Sequence, residues 1–185
     1  MRIKELVDRR TNPMIMNYRM NAGYIPLDHW AHTEEGGGRN RGEACHIYDV
    51  FTYLTGSRVS KVEAQALAPA TGYYGRSDNF VATLRFADGS VATLTYTALG
   101  SRDYPKEQLQ ILVDGKVVVL EDYRQLRVAG ARRGGISGRI PDKGHRNQLL
   151  AFARIVREGG EWPNLLWQQV QATEIAFAVE GRLNY

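Results

Sequence analysis

The feature that most constrains the fold is a middle third in which short alternating segments are separated by tight turns. Residues 80 to 86 alternate between apolar and other side chains, and after a turn residues 91 to 98 form the return strand. A period of two is typical of a strand with one buried face. Asp114-Gly115, between strands at 107–113 and 116–121, is a strong two-residue hairpin signal. These segments predict a meander of antiparallel strands.

Helical patterns flank this β-rich region. Helices are predicted over residues 2–10 and about 42–54, where Gly56 is a plausible C-cap. In the final helix, an apolar stripe predicts which residues are buried. These residues are Leu166, Val170 and Phe177. We therefore predict an α+β fold, with an open, mainly antiparallel β-sheet and helices packed on one face. Further strands are expected at 14–20, 59–68 and 123–129.

The composition is that of one ordinary domain. The 185 residues are 43% hydrophobic and 24% charged, which is enough apolar material for a core. The net charge of +4 is mild and gives no reason to expect nucleic acid as a partner. No apolar run approaches the roughly 20 residues that span a bilayer, so no membrane partner is expected. A single cysteine and the lack of a signal peptide favour a cytoplasmic location.

The stretch with the best candidates for a functional site runs from residue 35 to residue 49. Its three glycines, at 36–38, form a backbone that can lie close to a ligand. The helix that follows carries Glu43, His46 and Asp49 on one polar arc. His46 suits general acid–base work, and either carboxylate could orient it. The alternative is a surface histidine that only hydrogen-bonds a neighbour.

Other groups of polar residues are less specific. His29, His32 and His46 are metal-binding types, but there is no closed zinc motif, so no metal is expected. Arg39 could hold a ligand or be solvated. No glycine fingerprint for a nucleotide is present. A basic loop could contact phosphate or simply be solvated. Its residues are Arg132, Arg133, Arg139, Lys143 and Arg146.

Three consecutive motifs resemble the C-terminal domain of the Gfo/Idh/MocA oxidoreductases. They are Asn21-Ala22-Gly23, Asp28-His29-Trp30 and GGGRNRGEACHIYD, and the tail from His145 is similar. The resemblance implies a substrate-binding and oligomerisation domain over residues 1–185. It also implies that an N-terminal Rossmann domain, which binds NAD or NADP and carries a catalytic lysine, is absent from this chain. The implied reaction is hydride transfer between nicotinamide and a sugar, cyclitol or nucleotide-sugar.

The resemblance also implies roles for individual residues. His46 matches the catalytic histidine, which assists proton transfer. The expected substrate contacts are Asn21, His29, Trp30, Arg39 and Glu43. Many members carry an aspartate where this chain has Gly42. A homodimer or homotetramer is expected through the open sheet face, and the isolated chain is expected to be inactive.

Two other functions stay open at this point. The first is a non-catalytic binding or scaffold module of the same fold, which the glycine at position 42 favours slightly. The second is a metal-dependent hydrolase that uses His29, His32 and His46, for which bound metal would be required.

Overall fold

The computed structural model describes residues 2–131 and 135–183. The helices are α1 (Arg2–Val7), α2 (Cys45–Thr55), α3 (His145–Glu158) and α4 (Leu166–Leu183). The strands are β1 (Ile15–Asn21), β2 (Val59–Ala66), β3 (Asn79–Phe86), β4 (Val91–Thr97), β5 (Glu107–Val113), β6 (Lys116–Glu121), β7 (Gln125–Ala129) and β8 (Ile136–Ser137). A short 3-10 turn (Trp30–His32) and a π-helical turn (Asn40–Ala44) precede α2.

All eight strands belong to one open sheet, in the order β2-β3-β4-β1-β5-β6-β7-β8. Every pairing is antiparallel except that of β1 with β4, which is parallel. The predicted α+β class and the mainly antiparallel sheet are therefore confirmed. The simple meander is wrong, because β1 lies between β4 and β5 and separates the two antiparallel halves.

The turns that local residues predict are confirmed. Asp114 and Gly115 both adopt positive φ, as a two-residue hairpin with this twist requires. Gly56 ends α2 with φ +63, and its N–H donates to the carbonyl of Thr52. The long basic loop contains the short strand β8, and its residues Arg132 and Arg133 lie outside the described part of the chain.

The core lies between one face of the sheet and the helices α2 and α4. Inward-pointing residues of β1, β3 and β4 alternate with residues of the other face, as a half-covered strand requires. The largest buried side chains are Met14, Met16, Phe51, Leu84, Phe86, Leu94, Tyr48, Tyr96, Ile111, Gln171, Ile175 and Leu183. The other face carries mostly polar residues at its centre, such as Asn17, Arg19 and Gln110, and is not covered by a helix of the described chain.

The buried side of α4 differs from the predicted one. Leu166 is 75% exposed, and Val170 and Phe177 also face outward. The residues that contact the core are instead Gln168, Gln171, Ala172, Ile175, Ala176, Val179 and Leu183. The apolar stripe of α3, including Leu149 and Phe152, is exposed as well. Among the described residues, no helix is both long enough and apolar enough to cross a membrane.

Candidate functional site

The triple glycine is required by packing within the chain itself. A side chain at Gly36 would overlap the backbone of residues 30–31. Gly37 and Gly38 have φ of +71 and +73, and a Cβ at Gly38 would lie 2.8 Å from the Oγ of Ser77. Such φ values favour glycine because other residues meet steric strain there. The turn is thus closed against neighbouring loops of the same chain.

A π-helical turn connects these glycines to α2. The Cys45 N–H donates to the carbonyl of Asn40, five residues earlier. The Asn40 side chain fixes this turn from behind, since its amide donates to the Ala176 carbonyl at 2.8 Å and its oxygen accepts from the Tyr48 hydroxyl at 2.8 Å. π-turns are rare and are often found at functional sites. This one presents the first polar turn of α2 in a fixed orientation.

Gly42 also has a packing reason. An ideal Cβ at this position would lie 2.9 Å from the carbonyl oxygen of Gly36, closer than real Cβ contacts come. An aspartate at position 42, which the resemblance led us to expect, therefore does not fit the loop as it is folded here.

A buried arginine–carboxylate cluster lies beside this turn. The Arg39 Nε donates to the hydroxyl of Tyr96 at 2.6 Å, and that hydroxyl donates to Glu43 Oε2. Arg39 Nη2 lies 3.5 Å from the same carboxylate oxygen, and the Lys106 Nζ donates to Glu43 Oε1 at 2.8 Å. Phe80 stacks on the ring of Tyr96 with centroids 5.3 Å apart. The cluster joins the π-helical turn before α2 to β4 and to the residue that precedes β5.

These contacts determine the charge of Glu43. Burial alone would raise the pKa of Glu43, but hydrogen bonds from Lys106 and Tyr96, with the charges of Lys106 and Arg39, lower it below its usual value. Burial, followed by the charge of Glu43, raises the pKa of the Tyr96 phenol. Glu43 therefore stays ionised and is a poor proton acceptor for His46.

His46 lies exposed on α2, three residues before Asp49. Residues three apart on a helix are surface neighbours. Burial raises the pKa of Asp49, while a side-chain hydrogen bond from Asn164 and the charge of His46 oppose this rise. The Asp49 Oδ1 is buried and has no hydrogen-bond partner in the part of the chain that is described. Within residues 2–131 and 135–183 no hydrogen bond or ion pair joins Asp49 to His46, so an orienting role for Asp49 stays a prediction.

The other predicted substrate residues occupy different surroundings. Asn21 is buried, and its amide donates to the Ser101 carbonyl at 2.7 Å, which fixes the loop before β5. Arg39 Nη2 donates to the Gly23 carbonyl at 3.3 Å, so this loop and the arginine cluster are adjacent. His29 accepts from the N–H of Ala31, and Trp30 is 68% exposed.

Within the described residues, no hydrogen bond or ion pair joins His29 or Trp30 to His46. Their role as substrate contacts stays a prediction, as does that of Asn21. No group of three or more His, Cys, Asp or Glu side chains could hold a metal ion among residues 2–131 and 135–183. The hydrolase alternative therefore gains no support.

Residues 2–119 match the GFO/IDH/MocA C-terminal domain, so the chain belongs to this family. The resemblance seen in the sequence is confirmed. A comparison with curated protein sequences found no match.

Solved structures share the fold. UDP-N-acetylglucosamine 3-dehydrogenase GnnA from Acidithiobacillus ferrooxidans is 14% identical, with a TM-score of 0.76, and the match covers 98% of this chain and 57% of that one. The WlbA dehydrogenase from Bordetella pertussis, in complex with NADH and UDP-GlcNAcA, is 18% identical, with a TM-score of 0.70 and coverage of 98% and 56%. An NAD-binding protein from Listeria innocua is 17% identical, with a TM-score of 0.68 and coverage of 98% and 60%. The chain thus spans somewhat more than half the length of these structures.

Sequence reasoning missed three members of the site. Tyr96 was assigned only to a strand, although a buried tyrosine hydroxyl usually has a polar partner, which was an available signal. Lys106 lies far from Glu43 along the chain, and nothing local connects them. Asn164 follows Pro163 and resembles an ordinary loop residue.

Proposed function

We propose that this chain is the substrate-binding part of an NAD(P)-dependent oxidoreductase that acts on a sugar, cyclitol or nucleotide-sugar. The observation that carries the proposal is the exposed His46 beside Asp49, on a helix that the rest of the fold holds rigidly, in a chain of this family. The dehydrogenases that share the fold support the reaction class.

In this proposal His46 exchanges a proton with the reacting hydroxyl or carbonyl of the substrate. Asp49 would orient the imidazole, because it lies three residues along α2 from His46 and the charge of His46 acts on its pKa. Glu43 and Arg39 would hold the turn before α2 in place rather than transfer a proton, since their mutual contacts already occupy them. His46 would be the catalytic residue, and Asp49 a positioning residue.

The nicotinamide cofactor, NAD or NADP, would be held mainly by an N-terminal Rossmann domain that precedes this one in the whole protein. The glycines of this chain do not fit a dinucleotide, because packing against Ser77 and residues 30–31 closes them. The cofactor supplies the hydride acceptor or donor. The residues of this chain would bind the substrate, orient it and move its proton.

We also propose that the uncovered sheet face carries a homodimer or homotetramer contact. Ile15, Val81 and Leu112 are exposed on this face around the polar centre. Exposed apolar side chains on an open sheet favour burial against another surface.

Two measurements test the proposed function. The purified 185-residue chain, incubated with NAD or NADP and a panel of sugars and inositols, should form no NAD(P)H at 340 nm. The natural protein with its preceding domain should form it, and H46N should reduce kcat by about 10²-fold to 10⁴-fold while changing KM little. A matched control is H145Q, at the exposed start of α3. Turnover by the short chain, or full activity of H46N, would overturn the proposal.

A non-catalytic module of the same fold is the second candidate. The observation in its favour is that Gly42 leaves no room for the expected aspartate, while Glu43 is engaged by Tyr96 and Lys106. A natural protein that binds sugar but lacks a nucleotide-binding domain would support this candidate.

A further inference from the structure

The structure contains a buried histidine–aspartate pair that the proposed function does not use. Asp78 is 1% exposed, and the side chain of His32 is 10% exposed. His32 Nε2 lies 3.9 Å from Asp78 Oδ1, and neither atom has a hydrogen-bond partner in the part of the chain that is described. Buried polar atoms without partners are rare in folded proteins, so two of them facing each other require an explanation.

The turn that precedes β3 holds Asp78 in place. Its Oδ2 accepts from the Gly75 N–H at 2.7 Å, and its own N–H donates to the Gly75 carbonyl at 3.1 Å. Its carbonyl accepts from the Ala98 N–H at 3.0 Å, which ties the turn to the end of β4. A carboxylate this deeply buried is costly unless a cation or further hydrogen bonds compensate for the lost water. His32 is placed to supply that compensation at Oδ1.

His32 belongs to the loop of residues 24–38, which we call the Trp30 loop. The loop carries two of the predicted substrate contacts, His29 and Trp30, and Trp30 is 68% exposed. The imidazole of His32 packs against the turn before β3, since an ideal Cβ at Gly75 would lie 3.4 Å from its Nδ1. The pair therefore joins the Trp30 loop to a turn that is anchored in the sheet.

The protonation state of His32 determines how strongly this contact holds. A carboxylate oxygen only accepts hydrogen bonds, and so does an imidazole nitrogen without a proton. A neutral imidazole has one proton for its two nitrogens, so it faces Asp78 with a donor in only one tautomer and without charge. The imidazolium form always carries a proton on Nε2, and its charge is opposite to that of the carboxylate. Imidazole loses this charge between about pH 5 and 8.

The other charged groups of these two segments are exposed, so solvent and salt screen them from His32. They are Asp28, His29, Glu34 and Glu35 on the Trp30 loop and Arg76 on the turn before β3. The buried Arg39, which follows the loop, pairs with Glu43. Among the described residues, no carboxylate other than that of Asp78 lies within 4.0 Å of a ring nitrogen of His32.

We propose that His32 and Asp78 form a pH-sensitive latch for the Trp30 loop. Protonated His32 pairs with the Asp78 carboxylate and holds the loop against the turn before β3. This contribution is present at low pH and is lost as the pH rises through the titration of His32, which loosens the loop. The latch acts on the order of Trp30, and it does not depend on whether Trp30 contacts a substrate.

Hydrogen exchange followed by NMR tests the latch in the 185-residue chain. The reporters are three amides that bond within the loop, those of His32, Thr33 and Gly37. After correction for intrinsic exchange rates, their protection factors should fall about tenfold or more between about pH 5.5 and about pH 8. The fall should coincide with the titration of the His32 Cε1 proton resonance. The Gly56 N–H, which bonds to Thr52 at the end of α2, is the reference and should stay protected.

Variants connect the pH dependence to the pair. H32Q keeps an amide that can donate to Asp78 but cannot gain a proton, so its protection factors should be equal at both pH values. D78N removes the negative charge and should also abolish the fall. The Ala98 N–H reports whether D78N keeps its fold, because it bonds to the backbone of this turn. H145Q, at the exposed start of α3, is the matched control and should show the same fall as the wild type.

The possible outcomes decide the matter. Protection factors in the wild type that do not change with pH overturn the latch, and so does a fall that persists in H32Q. A fall that coincides with the titration of His29 instead of His32 also overturns it. If a variant loses protection at Ala98, the comparison of exchange with the His32 resonance in the wild type decides alone. None of these outcomes bears on His46, so the proposed function is tested separately.

Discussion

The hydroxyl of Tyr96 offers the sharpest test of the buried cluster. Y96F removes one oxygen that accepts from Arg39 Nε at 2.6 Å and donates to Glu43, while the ring keeps its stack on Phe80. A hydrogen bond to a charged group contributes about 1.5–3 kcal/mol. Y96F removes two such hydrogen bonds. Part of their contribution remains, because Glu43 keeps its bond from Lys106 and Arg39 Nη2 is already 3.5 Å from the Glu43 carboxylate. We therefore expect the free energy of unfolding to fall by about 2–3 kcal/mol.

Urea unfolding followed by circular dichroism measures this change, with an unchanged m-value as the check that only stability has moved. For a chain of this size, the melting temperature should fall by about 4–12 °C. Y73F is the matched control, since Tyr73 is exposed, and its stability should stay within about 0.5 kcal/mol of the wild type.

The pH dependence of stability provides a second test of the same cluster. The pKa of Glu43 is lowered on folding, so its contribution is present above the unfolded pKa and is lost as pH falls through the folded pKa. The difference in free energy of unfolding between wild type and Y96F should therefore become smaller as the pH is lowered from 7 to about 3. A loss below about 0.5 kcal/mol at pH 7, or one that is equal at both pH values, would refute the reasoning.

Three further expectations follow from the site. G42A should lower the free energy of unfolding by about 1–3 kcal/mol in urea titration, because its Cβ meets a backbone carbonyl, whereas G181A in α4 should raise it by up to about 1 kcal/mol; equal effects would contradict the packing argument. E43Q should flatten the acid limb of the stability–pH curve between about pH 5 and 3, and an unchanged slope would show that Glu43 is not responsible. N164L removes the hydrogen bond that lowers the pKa of Asp49, so the ¹³C carboxyl resonance of Asp49 should titrate at higher pH than in wild type, and no change would exclude that bond.

Local features of the fold could be predicted from the sequence because they depend on neighbouring residues. The alternation in β3, the hairpin at Asp114-Gly115 and the end of α2 at Gly56 are examples. The insertion of β1 between β4 and β5 could not, because pairing across such sequence distances leaves no local pattern.

The buried side of α4 was misjudged for a physical reason. Two glutamines lie on that side, and polarity alone places them in solvent. Gln171 is buried because its amide donates to Thr52 Oγ1 and to the Ser57 carbonyl, each at 3.1 Å, and its oxygen accepts from the Val59 N–H at 3.0 Å. Satisfied amides can replace apolar residues in a core.

In the candidate site, the sequence predicted the helix and its polar arc but not the partners of that arc. Arg39 and Glu43 were named as ligand contacts, whereas in the fold they bind each other through Tyr96. The sequence shows that acidic and basic side chains are present before α2. Their partners Tyr96 and Lys106 come from distant parts of the chain, and only the order of strands in the sheet brings them close.

The central place of β1 bears on how the chain is made. Of the eight strands of this sheet, β1 comes first along the chain, yet Ile15 pairs with Val91 on one side and with Leu112 on the other. During synthesis this strand has no neighbour until most of the chain has followed, and closure of such long loops slows folding. A nascent chain that stalls before β5 would leave β1 with a bare edge, where another stalled copy could pair with it. We therefore expect the nascent chain to depend most on chaperones before residue Val113, the end of β5, has been synthesised.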